Sequence, residues 1–292
     1  MAERNFMDLL RARQDAGFFV CVGLDSDTRN KKFPAVFPEM NTEGALLAFN
    51  RAIIDATADV AACFKINIAF YEQHGEAGYR ALEATIAHLL ETHPDIPVIV
   101  DAKRGDIGNT NNGYVASIFD KLKADAITVA PYMGRASLEP FLQLSNKGIF
   151  VLVRTSNEGA EEFQDMPVET DWAPDGTVPL YQYVAFKVAK DWDENLNCGV
   201  VAGATAPEDL EMIRQLIGPD MQMLIPGVGA QGGDLEKAIA AASQGGSRRF
   251  VINLSRSVIF ASSGLNFADA ARNEVKRNND LIRRLVESAG AA

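Results

Sequence analysis

The residues best suited to chemistry fall in one short stretch, VIVDAKRGDIGNT (98–110). Strand alternation sends Asp101 and Lys103 to the same face, and Asp106 follows in the loop before a helix opening at Asn109 or Thr110. A lysine set between two acids is kept protonated and aimed, because nearby opposite charge favours its charged form. Such an ammonium can stabilise developing negative charge and then hand over a proton. By itself a D-x-K-x-x-D match usually marks a solvated charge cluster at a strand end. The strongly apolar run before it and three further pieces favour chemistry.

Lys65 lies in CFKINIAFYEQ (63–73), at the end of an apolar run, where a lysine needs an acid partner or an anionic ligand. With Asp101 on the neighbouring strand, it makes an alternating Lys–Asp–Lys–Asp array. Asp25, in CVGLDSD, suits hydrogen bonds from ribose hydroxyls, although capping of the next loop would use Asp25, Ser26 or Asp27 equally. The third piece is PGVGAQGGD (226–234), opening at Pro226, together with NLSRSV (253–258). Glycines there let backbone N–H groups approach an anion, Arg256 offers a bidentate pair to phosphate, and Gln231 adds a side-chain donor.

Other chemistries lack their residues. His74, His88 and His93 are the only histidines and lie in or beside one helical segment. The sequence holds no His/Cys metal cluster, no Ser-His-Asp set and no G-x-G-x-x-G after a strand. The chemistry rests on Lys and Asp unless carboxylates recruit a metal.

These residues must be positioned by repeated strand–helix units. Apolar, β-branched runs occur at 18–25, 62–67, 97–103, 126–131, 148–156, 199–205, 223–229 and 250–256. Helical periodicity occupies 43–58, 74–92, 110–123, 136–144, 179–190, 207–217, 233–243 and 267–288. Continuous apolar strands alternating with helices imply a parallel sheet buried on both faces. Eight strands suit a closed (β/α)8 TIM barrel, and counting alone also allows an open doubly wound sheet. The polar residues decide: Asp25, Lys65, Asn67, Asp101, Lys103, Ser156 and Arg256 are spread over many strand ends, as a barrel mouth requires. One domain over 1–292 is sufficient, with a polar insertion at 157–178 that reads as a flap or contact element near the mouth.

Composition limits the partners. The 28 basic and 39 acidic residues give a net charge of −11, which argues against nucleic acid yet allows a small anion held by local cations. Cys21, Cys63 and Cys198 sit in apolar runs and read as buried, reduced thiols of a cytoplasmic protein. The first seventeen residues read as an amphipathic helix, neither a targeting peptide nor a membrane span.

Taken together, DAKRGDIGNT, FKIN, LDSD, PGVGAQGGD and the Arg256 segment closely resemble the orotidine 5′-phosphate decarboxylase family, in its longer bacterial branch. The resemblance implies cofactor-free and metal-free conversion of orotidine 5′-monophosphate to UMP in pyrimidine biosynthesis. It makes Lys103 the proton donor to C6, places Asp101 beside the departing carboxylate and gives Lys65 to the ribose and the charge array. It assigns Asp25 to a ribose hydroxyl, Ser156 to the pyrimidine, and Gln231 and Arg256, with the loop opening at Pro226, to the phosphate. It further implies a homodimer with shared sites, in which Asp106, Ile107 and Thr110 cross to the partner. The nearest rivals on the same motif are Mg²⁺-dependent sugar-phosphate enzymes, such as 3-keto-gulonate-phosphate decarboxylases and hexulose-phosphate synthases. Lys65 opposes them, because it puts a cation where that branch places acidic metal ligands. A silent nucleotide-binding barrel is the rival of another class.

Overall fold

Runs of aliphatic and β-branched residues form ten strands in the computed structural model, which describes residues 4–34, 37, 40–204, 206–227 and 234–290. They are β1 (Val20–Gly23), β2 (Cys63–Asn67), β3 (Val98–Arg104), β4 (Ala126–Val129), β5 (Gly148–Arg154), β6 (Pro167–Glu169), β7 (Thr177–Pro179), β8 (Cys198–Ala202), β9 (Gln222–Ile225) and β10 (Phe250–Leu254). Eight of them close a parallel barrel in the order β1-β2-β3-β4-β5-β8-β9-β10, and β6 and β7 form a separate antiparallel pair. The (β/α)8 barrel expected from the alternation is the architecture found.

Strand parity divides the core in two. Val20, Val22, Phe64, Ile66, Val98, Val100, Ile127 and Val129 pack outward against the helices. Cys21, Cys63, Ile99, Ala126, Phe150, Val201, Leu224 and Val251 fill the inside. The N-terminal helix Phe6–Asp15 closes the floor, adding Phe6, Met7 and Leu10 to that interior cluster. Its start is capped by the Asn5 side chain, which accepts the Asp8 N–H. Phe6 meets Phe150 edge to face at 5.6 Å between centroids. Gly148 makes room for it, since a Cβ there would lie well inside contact distance of the Phe6 ring. All three cysteines are buried and unpaired, with Cys21 opposite Cys63 across β1 and β2.

Local chemistry sets the helices. Asn41 caps Thr42–Thr57 by accepting the Gly44 N–H, Pro207 occupies the first turn of Pro207–Ile217, and Asp234 accepts from the Glu236 and Lys237 amides ahead of Leu235–Ala242. The segment expected at 110–123 starts earlier, at Gly108, and ends in a π turn over Ala116–Lys121. The one expected at 179–190 likewise runs Leu180–Lys187 before a π turn over Val188–Trp192. Among the described residues, no helix is long and apolar enough to cross a membrane.

One expectation needs correction. The barrel strands are shorter than the apolar runs, so Ser156 lies in the loop after β5 and Arg256 opens the short helix Arg256–Ile259. Chain that must turn over the rim leaves the ladder once its side chains become polar. The 157–178 insertion also has structure of its own. A single helical turn, Glu161–Gln164, leads into the β6–β7 hairpin, where Val168 pairs with Val178. Trp172 stacks on Phe186 at 4.5 Å, fastening the hairpin to the helix that follows.

Candidate active site

The inward parity that fills the barrel with apolar side chains changes chemistry at the mouth. Gly23 and Asp25, Lys65 and Asn67, Asp101 and Lys103, Thr128, Leu152, Asn253 and Ser255 continue the inward rows beyond Cys21, Cys63, Ile99, Ala126, Phe150 and Val251. Most of these residues are polar, and all but Gly23 line a cavity of about 300 Å³ whose wall includes Asp25, Lys65, Asp101, Lys103, Ser156, Pro226 and Arg256.

One wall is a chain of alternating charge. Lys65 Nζ lies 3.5 Å from Asp25 Oδ1 and 3.1 Å from Asp101 Oδ2. Lys103 Nζ donates to the other oxygen, Asp101 Oδ1, at 2.7 Å. Parallel pairing of Asn67 with Asp101 sets β2 and β3 in the register that makes this possible. The Lys65 side chain is 4% exposed and that of Asp101 10%, whereas Lys103 is 50% exposed, so the array ends in an ammonium open to the cavity.

Lys103 reaches that position by departing from regular strand geometry. Its φ of 47° is left-handed, and the β3–β4 register shifts between Val100 and Arg104. A non-glycine residue there is strained and is held by its surroundings. Thr128 supplies the hold. Its hydroxyl accepts the Lys103 N–H at 3.0 Å and donates to Asp101 Oδ1 at 2.8 Å. Simple alternation therefore gave the right direction for Lys103 but missed the bulge that produces it.

The charges set one another's protonation. Burial works to raise the Asp101 carboxyl, but Lys65 and then Lys103 outweigh it and hold the group well below the usual carboxylate range. Burial would lower the Lys65 ammonium, yet Asp25 and Asp101 prevail and keep it above the ordinary lysine value. Three of the four members are mostly buried and together carry one negative charge, which Lys103, the accessible donor, balances.

The far wall is formed by Pro226, Gly227, Asn253, Ser255, Arg256 and Ser257. Gly23 lets this rim close, since a Cβ on it would lie 2.8 Å from Ser255 Cβ, and Ser255 Oγ donates to Gly23 O at 3.1 Å. Gln231 falls outside the described residues.

Three expected residues are not in this cavity. Asp106 makes no ion pair among the described residues, and its Oδ1 accepts the Ile107 N–H at 2.6 Å. Asn111 braces the loop, accepting the Asp106 N–H and donating to Asp106 O and Ser137 O. Ile107 is 55% exposed, and Thr110 lines a different depression with Arg104 and Tyr114. The histidines are also remote, with His88 and His93 both contacting Asp55 on the outer layer.

Sequence reasoning missed Thr128, Asn253, Thr155 and Asn157 as cavity residues. The first two carried a signal, being lone polar residues at inward positions of otherwise apolar strands. Thr155 and Asn157 carried none, because a loop has no period.

Known proteins resemble this chain over most of its length. The sequence pattern of the orotidine 5′-phosphate decarboxylase / HUMPS family matches residues 19–271. An orotidine 5′-phosphate decarboxylase of Thermomicrobium roseum is 46% identical over 94% of this chain and 93% of its own length. One from Cellvibrio japonicus is 47% identical over 87% of this chain and 88% of its own. Among solved structures, a putative orotidine-monophosphate-decarboxylase from Toxoplasma gondii superposes with a TM-score of 0.83 at 36% identity, covering 98% of each chain.

Proposed function

The chain belongs to the orotidine 5′-phosphate decarboxylase / HUMPS family, and on that premise we propose that Lys103 is the proton donor of its reaction. The activity is that of a carboxy-lyase, taking orotidine 5′-monophosphate to UMP and CO2. The observation that carries the assignment of residues is the Asp25–Lys65–Asp101–Lys103 array, closed on itself at one end and open at Lys103.

The four groups sum to zero charge. A substrate carboxylate placed against Asp101 adds a negative charge there, and departure of neutral CO2 moves that charge from beside Asp101 to C6. As the C6–carboxyl bond breaks, its electron pair stays on C6, next to the Lys103 ammonium. An N–H bond of Lys103 then breaks and the proton goes to C6, leaving a neutral amine for solvent to reprotonate. A preorganised cation aimed at developing charge is worth more in such a walled site than in water. Thr128 and Asp101 fix the direction of that cation.

The other groups bind. Asp25 and Lys65 take the ribose, Ser156 the pyrimidine, and Arg256 the phosphate, joined by Pro226 and Gln231. Remote phosphate binding thereby helps to organise the reacting centre. Lys65 stands between two carboxylates, putting a cation where a sugar-phosphate enzyme of the rival branch would place an acidic metal ligand. That position disfavours the Mg²⁺-dependent alternative.

A homodimer with shared sites gives Asp106, Ile107 and Thr110 their role. They project outside their own cavity, and Ile107, Tyr132 and Met133 expose apolar surface of the kind a second copy covers. The barrel and its insertion act as one domain, and the buried free thiols suit a cytoplasmic enzyme.

The test follows loss of orotidine 5′-monophosphate absorbance with EDTA present, for wild type and Lys103→Ala. Turnover by the wild type is expected to ignore the chelator, and the variant is expected to lose at least about a hundredfold in kcat while staying folded. Binding of UMP by folded wild type with no turnover would instead support a silent nucleotide-binding barrel.

A further inference from the structure

The loop that follows β5 contributes Thr155, Ser156 and Asn157 to the cavity wall, and it is gripped from two sides. On the barrel side the Gly203 N–H donates to Arg154 O at 2.8 Å, and a Cβ on Gly203 would lie 2.8 Å from Ser156 Cβ. The glycine lets Ser156 seat against the end of β8, so the loop cannot move inward.

On the outer side the grip comes from the insertion. Gln164 Oε1 accepts the Thr155 N–H at 3.0 Å, and Gln164 Nε2 donates to Thr155 Oγ1 at 2.7 Å. Both ends of one amide are thus matched to one residue. Thr155 passes the constraint on, its hydroxyl donating to Asn157 Oδ1 at 2.7 Å. Next to Gln164, Asp165 accepts from Arg154 Nη1 at 2.6 Å, while Arg154 Nε donates to Asp209 at 2.8 Å.

The insertion is itself anchored. The Leu180 N–H donates to Met166 O at 2.8 Å, the β6–β7 pairing closes the hairpin, and Trp172 lies flat on Phe186. A continuous set of contacts therefore runs from the hairpin through Gln164 to the residues beside Ser156.

We propose that the 157–178 insertion is a brace for the base-facing turn, with Gln164 as its positioning residue. This rests on the decarboxylase reading above, in which Ser156 meets the pyrimidine. Gln164 touches no substrate, and it acts by presenting residues 155–157 already ordered, so that the base does not have to order them on binding. The ribose-phosphate half of the ligand meets other elements and does not feel the brace.

That separation gives the test. Gln164→Met keeps the side-chain length and removes both hydrogen bonds, whereas Gln164→Glu keeps an acceptor for the Thr155 N–H. Calorimetric titration is run with UMP and with ribose 5-phosphate, which lacks the base, alongside KM for orotidine 5′-monophosphate. Gln164→Met is expected to weaken UMP about tenfold and ribose 5-phosphate by less than about twofold, with KM rising in step with the UMP constant. Gln164→Glu is expected to fall between wild type and Gln164→Met, and it carries the same comparison if Gln164→Met folds poorly. Equal weakening of both ligands, or unchanged UMP binding, overturns the brace. Failure of wild type to turn over orotidine 5′-monophosphate overturns the decarboxylase reading instead, so the two failures are distinct.

Discussion

Thr128 ties the Asp101 carboxylate to the Lys103 backbone through a single hydroxyl. Thr128→Val keeps the branched shape and removes that hydroxyl, leaving the Lys103 N–H unpaired and Asp101 short of one bond. Hydrogen bonds to charged groups are worth about 1.5–3 kcal/mol, so kcat/KM is expected to fall about ten- to a hundredfold, with Thr128→Ser restoring most of it. Equal losses in the two variants would show that shape rather than the hydroxyl matters. Protonation makes a second prediction at this scale. Asp101 is held below its ordinary range, so between its folded value and an unfolded value near about 3.9 the unfolded chain binds the extra proton. Its stabilisation is therefore complete above that unfolded value and is lost as pH falls toward the folded one. Lys65 is shifted upward, so its contribution is complete below about pH 10.4 and lost as pH rises past it. Melting temperature is expected to hold a plateau between these limits. In Lys65→Met, Asp101 loses its strongest opposing charge and its folded value moves up toward the unfolded one, so its share of the acid fall should shrink; an unchanged acid limb would detach Lys65 from Asp101.

Elements impose a different kind of constraint, visible where β5 begins. Gly148 faces Phe6 of the floor helix, and Gly148→Ala forces a methyl group into that ring. Overpacking of this sort costs about 1–3 kcal/mol, so melting should drop by several degrees while kcat per folded molecule stays at the wild-type value. A fall in kcat without a fall in melting temperature would mean that the floor communicates with the mouth. The same period-2 logic explains what could be read beforehand. Lys65, Asp101 and Asp25 were legible because they interrupt apolar rows on the inward side. Thr128 and Asn253 interrupt rows in the same way but resemble ordinary strand residues, so type alone passed over them. The left-handed Lys103 and the register shift beside it depend on β4 pairing across from β3, which no local pattern encodes. The β6–β7 hairpin escaped because its strands are three residues each, too short for a period to show.

At the scale of the whole molecule, Asp106 remains to be placed. Within one chain it lies off the cavity, on a loop braced by Asn111, beside the exposed Ile107. If the site is completed by a second copy, each cavity takes Lys103 from one chain and Asp106 from the other. Lys103→Ala and Asp106→Asn homodimers are then both defective, for different reasons. Mixing them under conditions that exchange subunits makes hybrids with one cavity carrying both defects and one carrying neither. Random pairing in a two-fold dimer makes half of the dimers hybrid, so recovered activity should approach about a quarter of the wild-type value. If each chain builds its site alone, mixing recovers nothing, because every cavity keeps its own lesion. Sedimentation of the same samples separates the remaining possibility, since a dimer that exchanges subunits without recovering activity would keep the assembly and remove Asp106 from the partner's site.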